Sequence, residues 1–171
     1  MEPTLSQPDA LARLGSSRAA FAAIGPRVIA GEPWPLSEHF GAEPEASWGP
    51  REVLAHLSEM LPYWLGEFGR IVEAGRPAGD PIPFGRQAGD TVRIAVLERD
   101  RTFPLDDLLE RIDDGISRWQ RRIARTTATE GARTGLHPRN GEMTADGVRD
   151  RMIIVHLEDH LAQLEVILAR S

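Results

Sequence analysis

Four long segments with apolar residues at helical spacing constrain the fold more than any other feature of this sequence. We predict helices from about Gln7 to Ala30, Pro50 to Ala74, Pro104 to Arg125, and Thr144 (as N-cap) to Arg170. No segment shows the apolar–polar alternation of a half-buried strand. Helices of roughly two dozen residues bury their apolar faces by packing together. The sequence therefore predicts an all-α four-helix bundle.

Proline and glycine mark the helix boundaries. Pro50 suits the first helical position, Gly75 suits the residue after a helix, and Pro62 predicts a kink within the second helix. The loop "GRPAGDPIPFGRQAGD" is rich in both residues, and "DTVRIAVLERDR" after it is compatible with a short helix. Asn140-Gly141 is a turn signal.

Bulk composition narrows the class of protein. With 171 residues, 41% hydrophobic and 27% charged, residues 1–171 are predicted to form a single domain. No apolar run approaches the roughly 20 residues that span a bilayer, and no signal peptide is recognisable, so we expect a cytoplasmic protein without membrane contacts. A net charge of -6 disfavours nucleic-acid binding. The chain has no cysteine, so a metal must be held by His, Asp or Glu.

Two histidines lie on the apolar face of the fourth helix. His156 and His160 share an arc with Ile153, Leu157 and Leu164. Side chains four residues apart on a helix are neighbours, so both rings can reach one ion. Two core histidines satisfied by hydrogen bonds are the alternative, but each neutral ring would need its own donor and acceptor. The pattern favours a metal site.

A third ligand is expected from another helix. His56 lies at the edge of the apolar arc of the second helix, where it can face a groove between helices or remain half-exposed. We interpret His39, in a polar loop, as a surface or structural residue. His137, before Pro138 in an irregular connection, is a weaker ligand candidate.

Two stretches resemble the DinB/YfiT-like superfamily. "SWGPREVLAHLSEM" is similar to the start of the family's second helix. "LHPRNGEMTADGVRDRMIIVHLEDHLAQLE" is similar to its closing segment, a G-x-[ML]-T entry followed by H-x-x-x-H-x-x-Q. The resemblance implies a four-helix bundle with up-down-down-up connectivity. It also implies a divalent metal, commonly nickel or zinc, held by His56, His156 and His160, with Gln163 supporting a ligand or bound water.

The resemblance also implies a range of functions. Family members include thiol S-transferases that use bacillithiol or mycothiol, mycothiol-dependent maleylpyruvate isomerases, and metal-dependent hydrolases. Three neutral imidazoles would leave a coordination position open, as in catalytic sites. The leading hypothesis is a transferase that activates a small thiol, with glutathione as a further candidate, acting on a small-molecule substrate. A hydrolase that uses metal-activated water and a non-catalytic dimeric or ligand-sensing bundle are the alternatives.

Further roles are assigned more weakly. Tyr63, Glu59 and Glu67 lie on the polar side of the second helix near His56 and are candidates for acid–base chemistry or ligand orientation, against the alternative of ordinary solvated side chains. We expect a homodimer from the resemblance and from aromatic residues in predicted loops, namely Trp34, Trp48 and Phe84.

Overall fold

The computed structural model describes residues 4–38, 40 and 45–170. The chain is mostly helical and carries a small three-stranded sheet. The helices are α1 (Gln7–Ala30), α2 (Pro50–Ala74), α3 (Thr91–Asp100), α4 (Leu105–Arg125), α5 (Ala128–Gly131), α6 (Ala145–Val148) and α7 (His156–Leu168). The strands are β1 (Ile82–Pro83), β2 (Thr134–His137) and β3 (Gly141–Thr144). Glu45–Ser47 forms a 3₁₀ turn, and Arg149–Val155 is a π-helical segment between α6 and α7.

The predicted boundaries of the first three long helices are confirmed to within a residue. The Ser6 hydroxyl caps α1 by accepting a hydrogen bond from the amide of Asp9. Gly75 follows the last residue of α2. The predicted N-cap Thr144 is also confirmed, because its hydroxyl accepts from the Gly147 amide at 2.9 Å.

The fourth predicted helix is interrupted, which the sequence did not indicate. It begins as α6, widens into the π-helical segment Arg149–Val155, and returns to an α-helix at His156. A π turn holds more residues than an α turn, so it shifts the register of the side chains that precede His156. Within it, Arg149 is buried and donates to Asp146, Asp150 and the carbonyl of Leu5.

A small sheet accompanies the helices, and the sequence did not indicate its strands. β1 pairs in parallel with β2, and β2 pairs antiparallel with β3. Gly141, in the predicted turn, has φ of 74°, a conformation that favours glycine. Strands of two and four residues are too short to show the alternation on which a strand prediction depends.

The four longest elements share one hydrophobic core. α1 and α2 both pack against α4, and both pack against α7. Trp119 of α4 is fully buried, and its indole N–H donates to the carbonyl of Leu61 at 3.0 Å. Gly115 of α4 lies directly against the Leu61 side chain, which allows the two helices to approach closely. This packing is consistent with an all-α fold; the four-helix bundle with up-down-down-up connectivity stays a prediction.

Within the described part of the chain, no helix combines the length and apolarity needed to cross a membrane. The cytoplasmic location stays a prediction. The loop aromatic residues chosen as a motive for dimerisation pack within the chain instead: Trp48 and Phe84 are buried, and the Trp34 indole donates to the carbonyl of Val28. The expected homodimer therefore rests on the family resemblance alone.

Candidate metal centre

The rings of three histidines converge at one point between α2 and the start of α7. The Nε2 atom of His156 lies 2.8 Å from Nε2 of His56 and 3.1 Å from Nε2 of His160. Nitrogen ligands of a tetrahedral zinc-like ion at 2.0–2.1 Å are separated by about 3.3 Å. The two separations from His156 therefore need to widen by only a few tenths of an ångström to match the spacing of ligands around an ion.

The environment of these rings does not match that of ordinary core histidines. Among the described residues, none of the ring nitrogens of His56, His156 or His160 has a hydrogen bond to a backbone group. Both Nε2-to-Nε2 contacts involve His156, and its Nε2 carries either one N–H or one lone pair. This atom therefore cannot make a full hydrogen bond to both neighbours, whereas a shared cation would accept a lone pair from each of the three rings.

Burial keeps all three imidazoles neutral. Desolvation lowers the pKa of His56 well below its ordinary value of 6.5, and the neighbouring His156, His160 and Arg93 lower it further. Desolvation, with His160 and Arg93, lowers the pKa of His156 to about 3. Desolvation also lowers the pKa of His160, against an opposing effect of its bond to Gln163. Neutral imidazole is the form that binds a metal.

Gln163 orients the His160 ring. Its amide nitrogen lies 3.0 Å from the carbonyl oxygen of Glu45 and 3.4 Å from that of Trp48, so the amide oxygen faces His160. The Nδ1–H of His160 donates to that oxygen at 2.8 Å. This places the ring proton on Nδ1 and leaves the Nε2 lone pair directed at the other histidines.

The structure adds an acidic residue that the sequence did not single out. Glu45, in the 3₁₀ turn before α2, forms with His56, His156 and His160 a group whose ligand atoms all lie within 4.8 Å of one another. This group could hold a divalent metal. Glu45 lies in a loop, where no periodicity indicates which side chain turns inward, so nothing in its sequence context distinguished it from neighbouring acids.

Arg93, the second unforeseen residue, holds Glu45 in place. Its guanidinium is buried, donates to Glu45 at 2.8 Å and to the carbonyl of Ala88 at 2.9 Å. It also lies 3.4 Å from Nδ1 of His56. Because a guanidinium can only donate, this contact favours a lone pair on Nδ1, and binding of an ion at Nε2 of His56 would require the ring proton to move from Nε2 to Nδ1.

Tyr63, Glu59 and Glu67, the weaker candidates, lie outside the histidine group. Glu59 forms an ion pair with Arg86, whose guanidinium covers the Tyr63 ring at 3.7 Å. Burial raises the pKa of Tyr63 to about 12. Glu67 accepts from the amide of Gly85 and from Arg70. These contacts fasten the loop after β1 to α2, and an acid–base role for the three side chains stays untested.

A cavity of about 630 Å³ opens beside the histidine group. His56 and His156 form part of its wall with Glu45, and Trp64 lies on another side. His137, the other candidate, also lines this cavity but is separate from the metal-binding group. Its Nδ1 accepts hydrogen bonds from the amides of Arg139 and Asn140, each at 3.1 Å. His39 lies outside the described residues.

One comparison with known proteins identifies a family. The comparison with curated proteins finds no match for the chain. The family model described as the DinB superfamily matches residues 26–164, a range that includes Glu45 and the three histidines of the candidate site. The chain belongs to the DinB superfamily.

Proposed function

We propose that this protein is a metal-dependent S-transferase that joins a low-molecular-weight thiol to an electrophilic small molecule. The observation that carries the proposal is the convergence of three neutral Nε2 atoms beside a cavity large enough for a small molecule. A catalytic metal site keeps one coordination position accessible to substrate, and this cavity would provide the access.

In this proposal His56, His156 and His160 are the metal ligands. Three imidazoles suit nickel or zinc, and the absence of cysteine removes the thiolate ligands that other zinc sites use. A divalent ion held by neutral imidazoles lowers the pKa of a bound thiol or water. Gln163 keeps the His160 ring in the tautomer that this role requires.

Glu45 is the proposed proton acceptor. It is the one carboxylate in the candidate metal-binding group, and its ion pair with Arg93 holds it at the wall of the cavity. As the sulfur of the thiol forms its bond to an electrophilic carbon, the thiol proton passes to a carboxylate oxygen of Glu45. One bonding pair leaves that carbon at the same time, either with a departing group or, in an addition, from an activated double bond to its far atom, and Glu45 then returns the proton to the atom that received the pair. The cosubstrate supplies the sulfur because the chain has no thiol of its own; bacillithiol, mycothiol and glutathione are the candidates.

The first experiment measures metal content and thiol transfer together. We expect purified protein to contain or take up about one equivalent of nickel or zinc, and to conjugate at least one of the three thiols to a panel of electrophiles. Ester and amide hydrolysis without thiol would identify the alternative hydrolase, for which Glu45 would accept the proton of water. Protein that takes up no ion would support the non-catalytic bundle.

The variant Glu45→Gln distinguishes between two roles of Glu45, that of a proton acceptor and that of a metal ligand. The amide keeps the shape of the side chain but accepts a proton poorly, so we expect unchanged metal content and at least a tenfold lower turnover. Glu38→Gln, an exposed replacement in the preceding loop, is the matched control. Loss of the metal from Glu45→Gln would instead identify Glu45 as a ligand.

We also propose that the chain forms a homodimer. The support is the family resemblance, since the loop aromatic residues that suggested an interface pack inside the chain. Analytical ultracentrifugation checks this proposal, and a monomer at about 100 µM protein would reject it.

A further inference from the structure

The cavity beside the histidine group is lined by four arginines, of which two form ion pairs with acidic side chains. Arg86 pairs with Glu59, and Arg93 pairs with Glu45. Both side chains are mostly buried and hold neighbouring loops against α2. Their charges are therefore compensated within the wall of the cavity.

Arg139 and Arg151 have no such partner. Both are exposed and line the cavity, and neither forms an ion pair or a side-chain hydrogen bond with any residue in the described ranges. Asp159 is the remaining acid of the lining, but it lies two helical turns beyond Arg151, about 10 Å along the helix. The cavity thus carries an excess of positive charge on the side formed by Arg139 and Arg151.

The fold holds Arg139 in a fixed place. It follows β2 in the tight turn to β3, and the ring of His137 accepts hydrogen bonds from the Arg139 and Asn140 amides. His137 is buried among Trp64, Phe84 and Gly85, so the turn is anchored to the core. Arg151 lies on the π-helical segment. The first residue of that segment, Arg149, is buried, and each of its three guanidinium nitrogens donates a hydrogen bond.

The positive charges of Arg139 and Arg151 act on His137, which also lines the cavity. Burial is the main cause that lowers the pKa of His137, and Arg151 and Arg139 lower it further through their positive charge. A guanidinium presents paired N–H donors that match the two oxygens of a carboxylate. Two uncompensated guanidinium groups at one side of a cavity are suited to an organic anion.

The rest of the lining indicates the shape of that anion. Met60, Trp64, Met152 and Val155 give the cavity an apolar surface next to the histidines. Aromatic and methionine side chains accommodate flat or irregular apolar groups. A molecule with an apolar body and one anionic end would satisfy both surfaces.

We infer that Arg139 and Arg151 bind the carboxylate of an organic anion, so that the acceptor substrate of this enzyme is a small carboxylic acid with an apolar body. The position of the reacting carbon rests on the proposed function, because it requires chemistry at the histidine group. The anion subsite itself requires no metal, since its residues lie outside that group.

The test uses benzoate and its uncharged isostere benzamide as probes of metal-free protein. Saturation-transfer NMR at constant ionic strength measures the affinity of each compound. We expect benzoate to bind at least tenfold more tightly than benzamide. The double variant Arg139→Gln/Arg151→Gln should lower benzoate affinity about tenfold and leave benzamide unchanged. Arg125→Gln, an exposed replacement at the end of α4 outside the cavity, is the control.

Each outcome decides for or against the subsite. Absence of benzoate binding, equal binding of benzoate and benzamide, or full benzoate affinity in the double variant would overturn the inference. Charge-dependent binding lost in the double variant would support it even in a protein that takes up no metal, and the proposed function would then fail alone. Thiol transfer that prefers neutral acceptors, with metal bound, would retain the proposed function and reject the subsite.

Discussion

The two walls of the cavity are both built from basic residue types, yet they favour ligands of opposite charge. The inner wall is defined by His56 and His156, which line the cavity, together with His160, which contacts His156. The outer wall consists of Arg139 and Arg151. Burial lowers the pKa of each inner-wall imidazole, so these side chains offer lone pairs to a cation. The outer-wall guanidinium groups are exposed and can attract an anion. The difference shows that residue type and burial act together: an imidazole is close to losing its proton at neutral pH and burial lowers its pKa further, whereas a guanidinium keeps its proton.

The largest expected effect is removal of one inner-wall ligand. His160→Ala should abolish stable metal binding, because two imidazoles leave the ion with too few protein ligands. The helices should remain folded, since the packing of α1, α2 and α4 does not involve this ring. Metal content after dialysis and far-ultraviolet circular dichroism measure the two effects. His39→Ala should change neither, and one retained equivalent of metal in His160→Ala would contradict the assignment.

The second largest expected effect is a loss of stability of the metal-free protein in acid, caused by the buried inner-wall histidines. The unfolded chain takes up a proton at His156 near pH 6.5, whereas burial lowers the pKa of this residue to about 3 in the folded chain. Between these values the unfolded state binds more protons, so stability falls as the pH drops. From about pH 6.5 to pH 5, protonation of His156 in the unfolded chain should lower the free energy of unfolding by about 2 kcal/mol.

Urea unfolding of metal-free wild type and His156→Gln measures this cost. Over the same pH interval, the free energy of unfolding should fall by about 2 kcal/mol less in the variant than in the wild type. His137→Gln serves as the comparison, because its ring belongs to the cavity but not to the inner wall. Equal losses in wild type and His156→Gln would show that the His156 ring is not kept neutral by burial.

Loss of the residue that orients His160 should have an intermediate effect. Gln163→Ala removes the acceptor that holds the ring proton on Nδ1. Partners that orient a ligand typically contribute 10- to 100-fold in metal affinity. We expect a loss in that range by competition with a chromogenic chelator. Gln120→Ala in α4 is the control, and wild-type affinity in Gln163→Ala would show that the hydrogen bond does not matter for the metal.

Helical periodicity explains which parts of the site were predictable from the sequence. The spacing of His156 and His160 places both on one helical face, and the edge position of His56 directs it to the same groove. In the structure the three rings are in contact; their role as metal ligands stays a prediction. Gln163 was chosen from the resemblance alone, because a glutamine at the margin of an apolar arc has no distinctive periodicity.

Residues outside the long helices were not predictable in the same way. Glu45 and Arg93 meet across a sequence separation of 48 residues, and their pairing depends on how the turn that carries Glu45 and the first residues of α3 fold over α2. The short strands gave no alternation, although the Asn140-Gly141 turn between β2 and β3 was recognisable. The π-helical segment is set by local hydrogen bonding, and a helical wheel assumes a constant rotation per residue.

Ionic strength should distinguish the two walls by a smaller but informative effect. Salt screens charges that are exposed to water far more than interactions within a buried site. Raising sodium chloride from about 0.05 M to 0.5 M should therefore weaken benzoate binding several-fold. Metal affinity, which depends on uncharged and buried imidazoles, should change by less than about twofold in the same buffers with a non-coordinating salt.

Titrations of wild type with each ligand measure both changes, and the Arg139→Gln/Arg151→Gln variant should lose the salt dependence of benzoate binding. If salt weakened metal binding and benzoate binding equally, the inner wall would be charged and solvated, and the contrast drawn between the two walls would be wrong.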